Sequence, residues 1–172
     1  MNRRSTLAGA LALAPVLAGA GQASTDFTVS MVIEQACTIT AANLDFGTVL
    51  NLPEQTATAN ASLTVNCPEG LPYNIALDVG RNPGGDEHLA TRNMVNADGV
   101  EVTYDIYQDA ALTQSWGDVG FGSTNPCGSC EAKAAIGSGT DQVHTMFGET
   151  QVPFDGGTPG SYADTVTASV HF

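Results

Sequence analysis

Basic residues are scarce in this chain: five Lys and Arg stand against 18 Asp and Glu in 172 residues, a formal net charge of −13. A surface of that sign repels polyanions, so nucleic acid and anionic membrane are set aside as partners. Charge of either sign is sparse at 13%, while glycine reaches 19 residues and the polar background is Thr, Asn, Ser and Gln. That balance belongs to extracellular β proteins rather than cytosolic helical ones. No segment keeps a helical period over three turns, and neither an internal repeat nor a linker divides the chain. The longest apolar run, Leu7 to Ala20, is too short and too alanine-rich for a membrane span, so no direct membrane insertion is expected.

What is present begins with a leader. Met1-Asn2-Arg3-Arg4, the apolar run and small residues through Ala23 follow the order of a secretory signal, so residues 1–23 are expected to be a signal peptide on an exported chain. The residues flanking Arg3-Arg4 fit a twin-arginine signal poorly. Removing Arg3 and Arg4 leaves three Lys and Arg against 18 Asp and Glu, which moves the formal charge to −15. Four cysteines in an exported chain read first as disulfides, and four allow three pairings. Cys127-Gly128-Ser129-Cys130 is close enough to close on itself, which favours Cys37 with Cys67 as the second bridge.

From Asp26 to Ile33 the chain alternates as a strand does, with Phe27, Val29, Met31 and Ile33 on one side. Four apolar positions in a row are a large greasy face for an end that would normally fray, and the face calls for burial against something. Further strands are expected at Cys37–Thr40, through Leu44-Asp45-Phe46-Gly47 into Val49 and Leu50, at Leu63–Cys67, at Tyr73–Val79, at Val100–Tyr107 and at Gln142–Phe147. Tyr162, Val166, Val170 and Phe172 line one side of a last strand. Gly117 to Gly139 is too rich in glycine and serine for regular structure. Short strands with turns at near-regular spacing indicate an all-β sandwich, here over residues 35–172.

Catalytic and metal chemistry finds no constellation. Cys127 and Cys130 lie in a glycine-rich loop, without the helix N-terminus that a redox Cys-x-x-Cys uses to stabilise its thiolate. Joined by His144 they make three zinc ligands and no fourth. His88, His144 and His171 are scattered, with no serine or carboxylate beside them in a nucleophile motif. Asp86, Glu87, Asp98 and Asp155 fall in turns without the spacing of a calcium loop. No cofactor, no metal and no enzymatic activity are expected.

The residues resemble the spore coat protein U domain family, which is shared with subunits of archaic chaperone–usher pili of the Csu type. The resemblance rests on Cys37, Leu44-Asp45-Phe46-Gly47, Val65-Asn66-Cys67, Tyr73, Ile75, Leu77, Gly80 and Met94. It continues through Tyr104-Asp105-Ile106-Tyr107-Gln108-Asp109, Trp116-Gly117, Met146-Phe147-Gly148 and Gly160-Ser161-Tyr162-Ala163-Asp164-Thr165-Val166. The family implies an incomplete immunoglobulin-like β-sandwich lacking its last strand. A periplasmic chaperone fills the gap first, and at an outer-membrane usher the N-terminal extension of a neighbouring pilus subunit replaces it.

Carried onto this sequence, residues 24–34 become the donor strand, with Phe27, Val29, Met31 and Ile33 as its buried side chains. Tyr162, Val166, Val170 and Phe172 become the C-terminal strand that faces the chaperone. The implied route is the periplasm in transit and then an extracellular fibre for adhesion or biofilm formation. The alternatives are a tip adhesin, or a secreted monomeric coat or binding protein of the same fold whose leading strand closes its own sandwich; against that closure, Ile33 to Cys37 is a short span in which to turn back. The Cys127 and Cys130 pair departs from the family pattern, as does Phe172, where tyrosine is more usual.

Overall fold

A computed structural model of the chain describes residues 21–50, 56–83, 92–119, 130–151 and 158–172. The leader up to residue 20, Cys127, His88, Asp86, Glu87 and Asp155 lie outside them. The chain divides into an N-terminal unit ending at Ile33 and a body, Glu34–Phe172.

The body is all-β. Its strands are β1 (Thr38–Ala41), β2 (Thr58–Asn66), β3 (Pro72–Leu77), β4 (Arg92–Val95), β5 (Glu101–Tyr107), β6 (Lys133–Ile136), β7 (Gln142–Thr150) and β8 (Ala168–His171). Five form a sheet in the order β1-β2-β7-β5-β4 and three form a second in the order β6-β3-β8, and every ladder between them is antiparallel.

Alternation sets which side chains meet between the sheets. Ala61, Leu63 and Val65 of β2, Tyr104 and Ile106 of β5, and Met146 of β7 face Tyr73, Ile75 and Leu77 of β3 in one buried cluster, joined by Trp116. The Trp116 indole donates its N–H to the Ile75 carbonyl at 2.9 Å, which satisfies the ring's polar edge inside the core. Cys37 and Cys67 are bonded to each other, as the sequence favours, at the end of the β1–β2 ladder. Cys130 is also disulfide-bonded.

Three expectations are corrected. The segment from Leu44 to Leu50 is not a strand. Asp45 accepts a hydrogen bond from the Gly47 amide at 2.8 Å and Gly47 takes a φ of 69°, so the chain turns there. Within the glycine-rich stretch, Lys133–Ile136 is a strand: β6 pairs with β3 in the register Tyr73–Ala135. The last strand is also shorter than expected. Ala163 bridges Val95 at the edge of the larger sheet, and only from Ala168 does the chain pair with β3 in the other. The segment therefore crosses from one sheet to the other instead of extending one ladder.

Candidate functional site

β1 and β8 are edge strands, one from each sheet. The Asp78 amide donates to the Thr167 carbonyl at 3.0 Å, which makes Ala76–Ser169 and Asn74–His171 the hydrogen-bonded pairs of the β3–β8 ladder. By the same alternation the backbone groups of Ala168 and Val170 point away from β3, while their side chains pack on the core. A row of backbone donors and acceptors thus borders an opening into the hydrophobic interior.

The opening is a cleft of about 530 Å³. One wall is Ala41 at the end of β1 with the stretch Ala42–Phe46 that follows it, and the other is Tyr162–Val166 with Ala168. Its floor is apolar: Leu77, Met94, Tyr104, Ile106 and Met146. The cleft thus opens into the core between the segment that follows β1 and the segment that leads into β8.

Each wall is held by its own device. On the first, Leu44 and Phe46 lie over Gly148 of β7, where a Cβ would stand only 2.7 Å from Leu44 Cδ2 and 3.0 Å from Phe46 Cζ. Glycine is required there because the two side chains occupy that space. The Phe46 ring then meets Tyr104 edge-on at 6.0 Å between centroids.

On the second wall the central residue is Asp164. Its Oδ1 accepts from the Arg81 amide at 3.1 Å and from Asn82 Nδ2 at 3.2 Å, and its Oδ2 accepts from the Tyr104 hydroxyl at 2.9 Å. Gly80, at a φ of 74°, passes so close to the Asp164 carboxylate that a Cβ would collide with it. Asp78 reinforces the same turn, with Oδ1 accepting from the Gly80 amide at 3.0 Å and the Thr167 amide at 2.8 Å. Burial first, and the bond to Asp164 second, push the Tyr104 hydroxyl pKa well above its ordinary 10.0, so it stays a proton donor to the carboxylate.

Below the cleft lies a buried charge pair. Arg92 is fully buried and donates Nε to the Asp78 carbonyl at 2.8 Å and Nη2 to the Trp116 carbonyl at 2.9 Å. Its Nη1 is 3.5 Å from Asp105 Oδ1. Asp105 Oδ2 accepts from Ser115 Oγ at 2.7 Å. Burial raises the Asp105 pKa, opposed by the Ser115 bond and the Arg92 charge. The neighbouring Tyr107 hydroxyl is pushed up to about 12, by burial first and then by the charge on Asp105. The guanidinium ties β4 to the C-terminal end of β3 and to the Trp116 segment, so it braces the floor. No buried side-chain nitrogen or oxygen among the described residues lacks a partner.

In the N-terminal unit, Phe27, Val29, Met31 and Ile33 belong to no strand and are 80–84% exposed. Val166 and Val170 pack on the core, Tyr162 lines the cleft, and Phe172 is 59% exposed. Tyr162 donates its hydroxyl to the Thr158 carbonyl at 2.6 Å. Arg92, Asp105, Asp78 and Asp164 were not singled out. Asp105 and Asp164 stand inside the quoted motifs, where a carboxylate amid strand residues was the available signal. No group of three or more His, Cys, Asp and Glu that could hold a metal is found among the described residues. None of their helices is long and apolar enough to cross a membrane.

A cleft of this form, opening into the core between the segment that follows β1 and the one that leads into β8, fits the open groove implied by the sequence motifs, and the sequence model of the Spore Coat Protein U domain matches residues 23–169. The chain belongs to the Spore Coat Protein U domain family. Among solved structures, this family member is similar to a chain in the crystal structure of the CsuC–CsuE chaperone–tip adhesion subunit pre-assembly complex, from archaic chaperone–usher Csu pili of Acinetobacter baumannii. The TM-score is 0.56 at 23% identity, over 81% of this chain and 40% of that one. The likeness is one of fold, and this chain spans less than half the length of that relative. Comparison with curated proteins finds no match.

Proposed function

We propose that the chain is a structural, non-enzymatic subunit of an extracellular fibre, joined to its neighbours by insertion of one copy's residues 24–34 into the next copy's cleft. The supporting observation is the apolar cleft bordered by the unpaired edge of β8, in a chain that also carries an exposed apolar segment of matching strand period. Backbone groups of Ala168 and Val170 supply a ladder for an added strand, and the floor residues supply pockets for alternate side chains. Four large apolar side chains contribute roughly 1.5–3 kcal/mol each on burial, so on the order of 6–12 kcal/mol as an upper bound before ordering costs.

Before joining, the same cleft needs temporary cover, which a periplasmic chaperone provides in this reading, with release at an outer-membrane usher. Export by the leader delivers the subunit to that space. A shaft subunit is favoured over a tip subunit, because a shaft subunit has a donor segment to give.

Ile33→Asp tests the reading. A carboxylate at a buried donor position carries a large desolvation cost, so the variant is expected to fold and accept a chaperone strand yet fail to donate to a neighbour. Unimpaired joining, followed by light scattering and electron microscopy, overturns the assignment.

A further inference from the structure

Four methionines occur in the sequence, and one of them is Met1. Two of the other three share one feature, and the third lies in the exposed N-terminal segment. Met94 and Met146 line the floor of the cleft. Met31 stands in the period-2 apolar series of the N-terminal segment and is 80% exposed. The thioether is flexible and polarisable, which suits it to filling an irregular pocket, and it is also the side chain that peroxides convert from apolar to polar.

We propose that Met31 is an oxidation site that gates subunit joining: a peroxide oxidises it while the segment is exposed, and the product can no longer seat in the cleft of a second copy. This rests on the joining reading above. In the reaction the Met31 sulfur takes one oxygen atom from hydrogen peroxide; sulfur is oxidised by two electrons to the sulfoxide, the peroxide O–O bond breaks, and water leaves. The sulfoxide oxygen is a strong acceptor, while Leu77, Ile106, Met94 and Met146 on the floor carry no donor and the one floor hydroxyl, that of Tyr104, is already given to Asp164, so seating the oxygen forfeits its hydration without compensation.

The positions differ in timing. Met146 is 6% exposed within the fold and Met94 is partly buried against the core, so both are less open to peroxide than Met31. Met31 is shielded only after joining. Oxidation therefore acts on subunits not yet joined and leaves completed joints untouched.

The test uses the full exported chain, treated with hydrogen peroxide, cleared with catalase and mapped by mass spectrometry. Joining is then followed by size-exclusion chromatography with light scattering. One added oxygen on Met31 is expected to slow joining at least about tenfold, as an unbonded buried polar group implies. Methionine sulfoxide reductase is expected to restore the rate. Met31→Leu joins at a rate of its own, set by the fit of leucine in the pocket, and that rate is expected to be the same before and after peroxide; joined material is expected to acquire oxygen at Met31 far more slowly than free subunits.

Equal peroxide sensitivity in wild type and Met31→Leu, or undiminished joining of protein carrying the Met31 sulfoxide, overturns the proposal. Sensitivity that disappears only in Met94→Leu or Met146→Leu assigns the effect to the floor and overturns it equally. If untreated wild type never joins, the joining reading itself falls, and this inference with it.

Discussion

Replacing Asp164 with alanine strips the second wall of its central acceptor. Three hydrogen bonds disappear, from the Arg81 amide, Asn82 Nδ2 and the Tyr104 hydroxyl. The losses are unequal. The Arg81 amide is exposed and returns to water, whereas Tyr104 is only 4% exposed and its hydroxyl is left without an acceptor. Stranding that donor costs about 1–3 kcal/mol, and the lost bonds to a charged acceptor bring the total to about 2–4 kcal/mol. Tyr104→Phe removes the hydroxyl but keeps the ring against Phe46, and the half-buried Asp164 carboxylate rehydrates, so that variant costs about 1 kcal/mol.

The decisive quantity is their combination. In the double variant no hydroxyl is stranded, so adding Tyr104→Phe to Asp164→Ala is expected to be neutral or to restore about 1 kcal/mol. Guanidinium unfolding midpoints at constant slope measure all four corners of the cycle. If Tyr104→Phe costs the same in both backgrounds, the two groups are not coupled, and the account of how this wall is held is wrong.

Removing the Cys37–Cys67 bridge with a Cys37→Ala/Cys67→Ala pair frees a loop of 30 residues' separation, for which chain entropy gives a loss of about 3–4 kcal/mol, readable in the unfolding midpoint. Stability is also expected to fall as pH drops below 6.5. The Tyr73 hydroxyl lies 2.9 Å from His144 Nε2, and burial first, then the charge on Lys133, lowers the His144 pKa from its ordinary 6.5. The folded state therefore disfavours the imidazolium: this contribution is fully present above pH 6.5 and is lost as pH falls toward the lowered folded value. Unfolding midpoints between pH 8 and pH 5 for wild type and His144→Gln check it, with a flatter profile expected for the variant.

The strands that announce themselves in the sequence are those with one face buried. Tyr73, Ile75 and Leu77 alternate cleanly because β3 lies between two neighbours with its inner face against the core. The same is true of Tyr104 and Ile106 in β5. β4 is hidden because its inward residue Arg92 is a cation, buried only through three carbonyls and Asp105, a set brought together by tertiary structure. β6 is hidden because Lys-Ala-Ala-Ile borrows its pattern from β3.

The misread strand at Leu44 to Leu50 has a different cause. Its apolar residues alternate as a strand's would, but they fill the space over Gly148 in the other strand β7, a contact that no local period encodes. For the cleft, the walls' motifs were legible as motifs, while the hydrogen bonds that make Asp164 central join residues more than 59 positions apart.

The central claim is that the cleft of one copy receives the leading segment of another. Place a photo-crosslinking amino acid at position 29, mix equal amounts of unlabelled and nitrogen-15-labelled chains before joining, and identify by mass spectrometry the isotopic pairing of links from position 29 to the walls at 41–46 and 162–168. The account predicts that about half of these links are of mixed isotope, as random pairing between separate copies requires. Links confined to like-isotope pairs, with each segment closing its own sandwich, would contradict it.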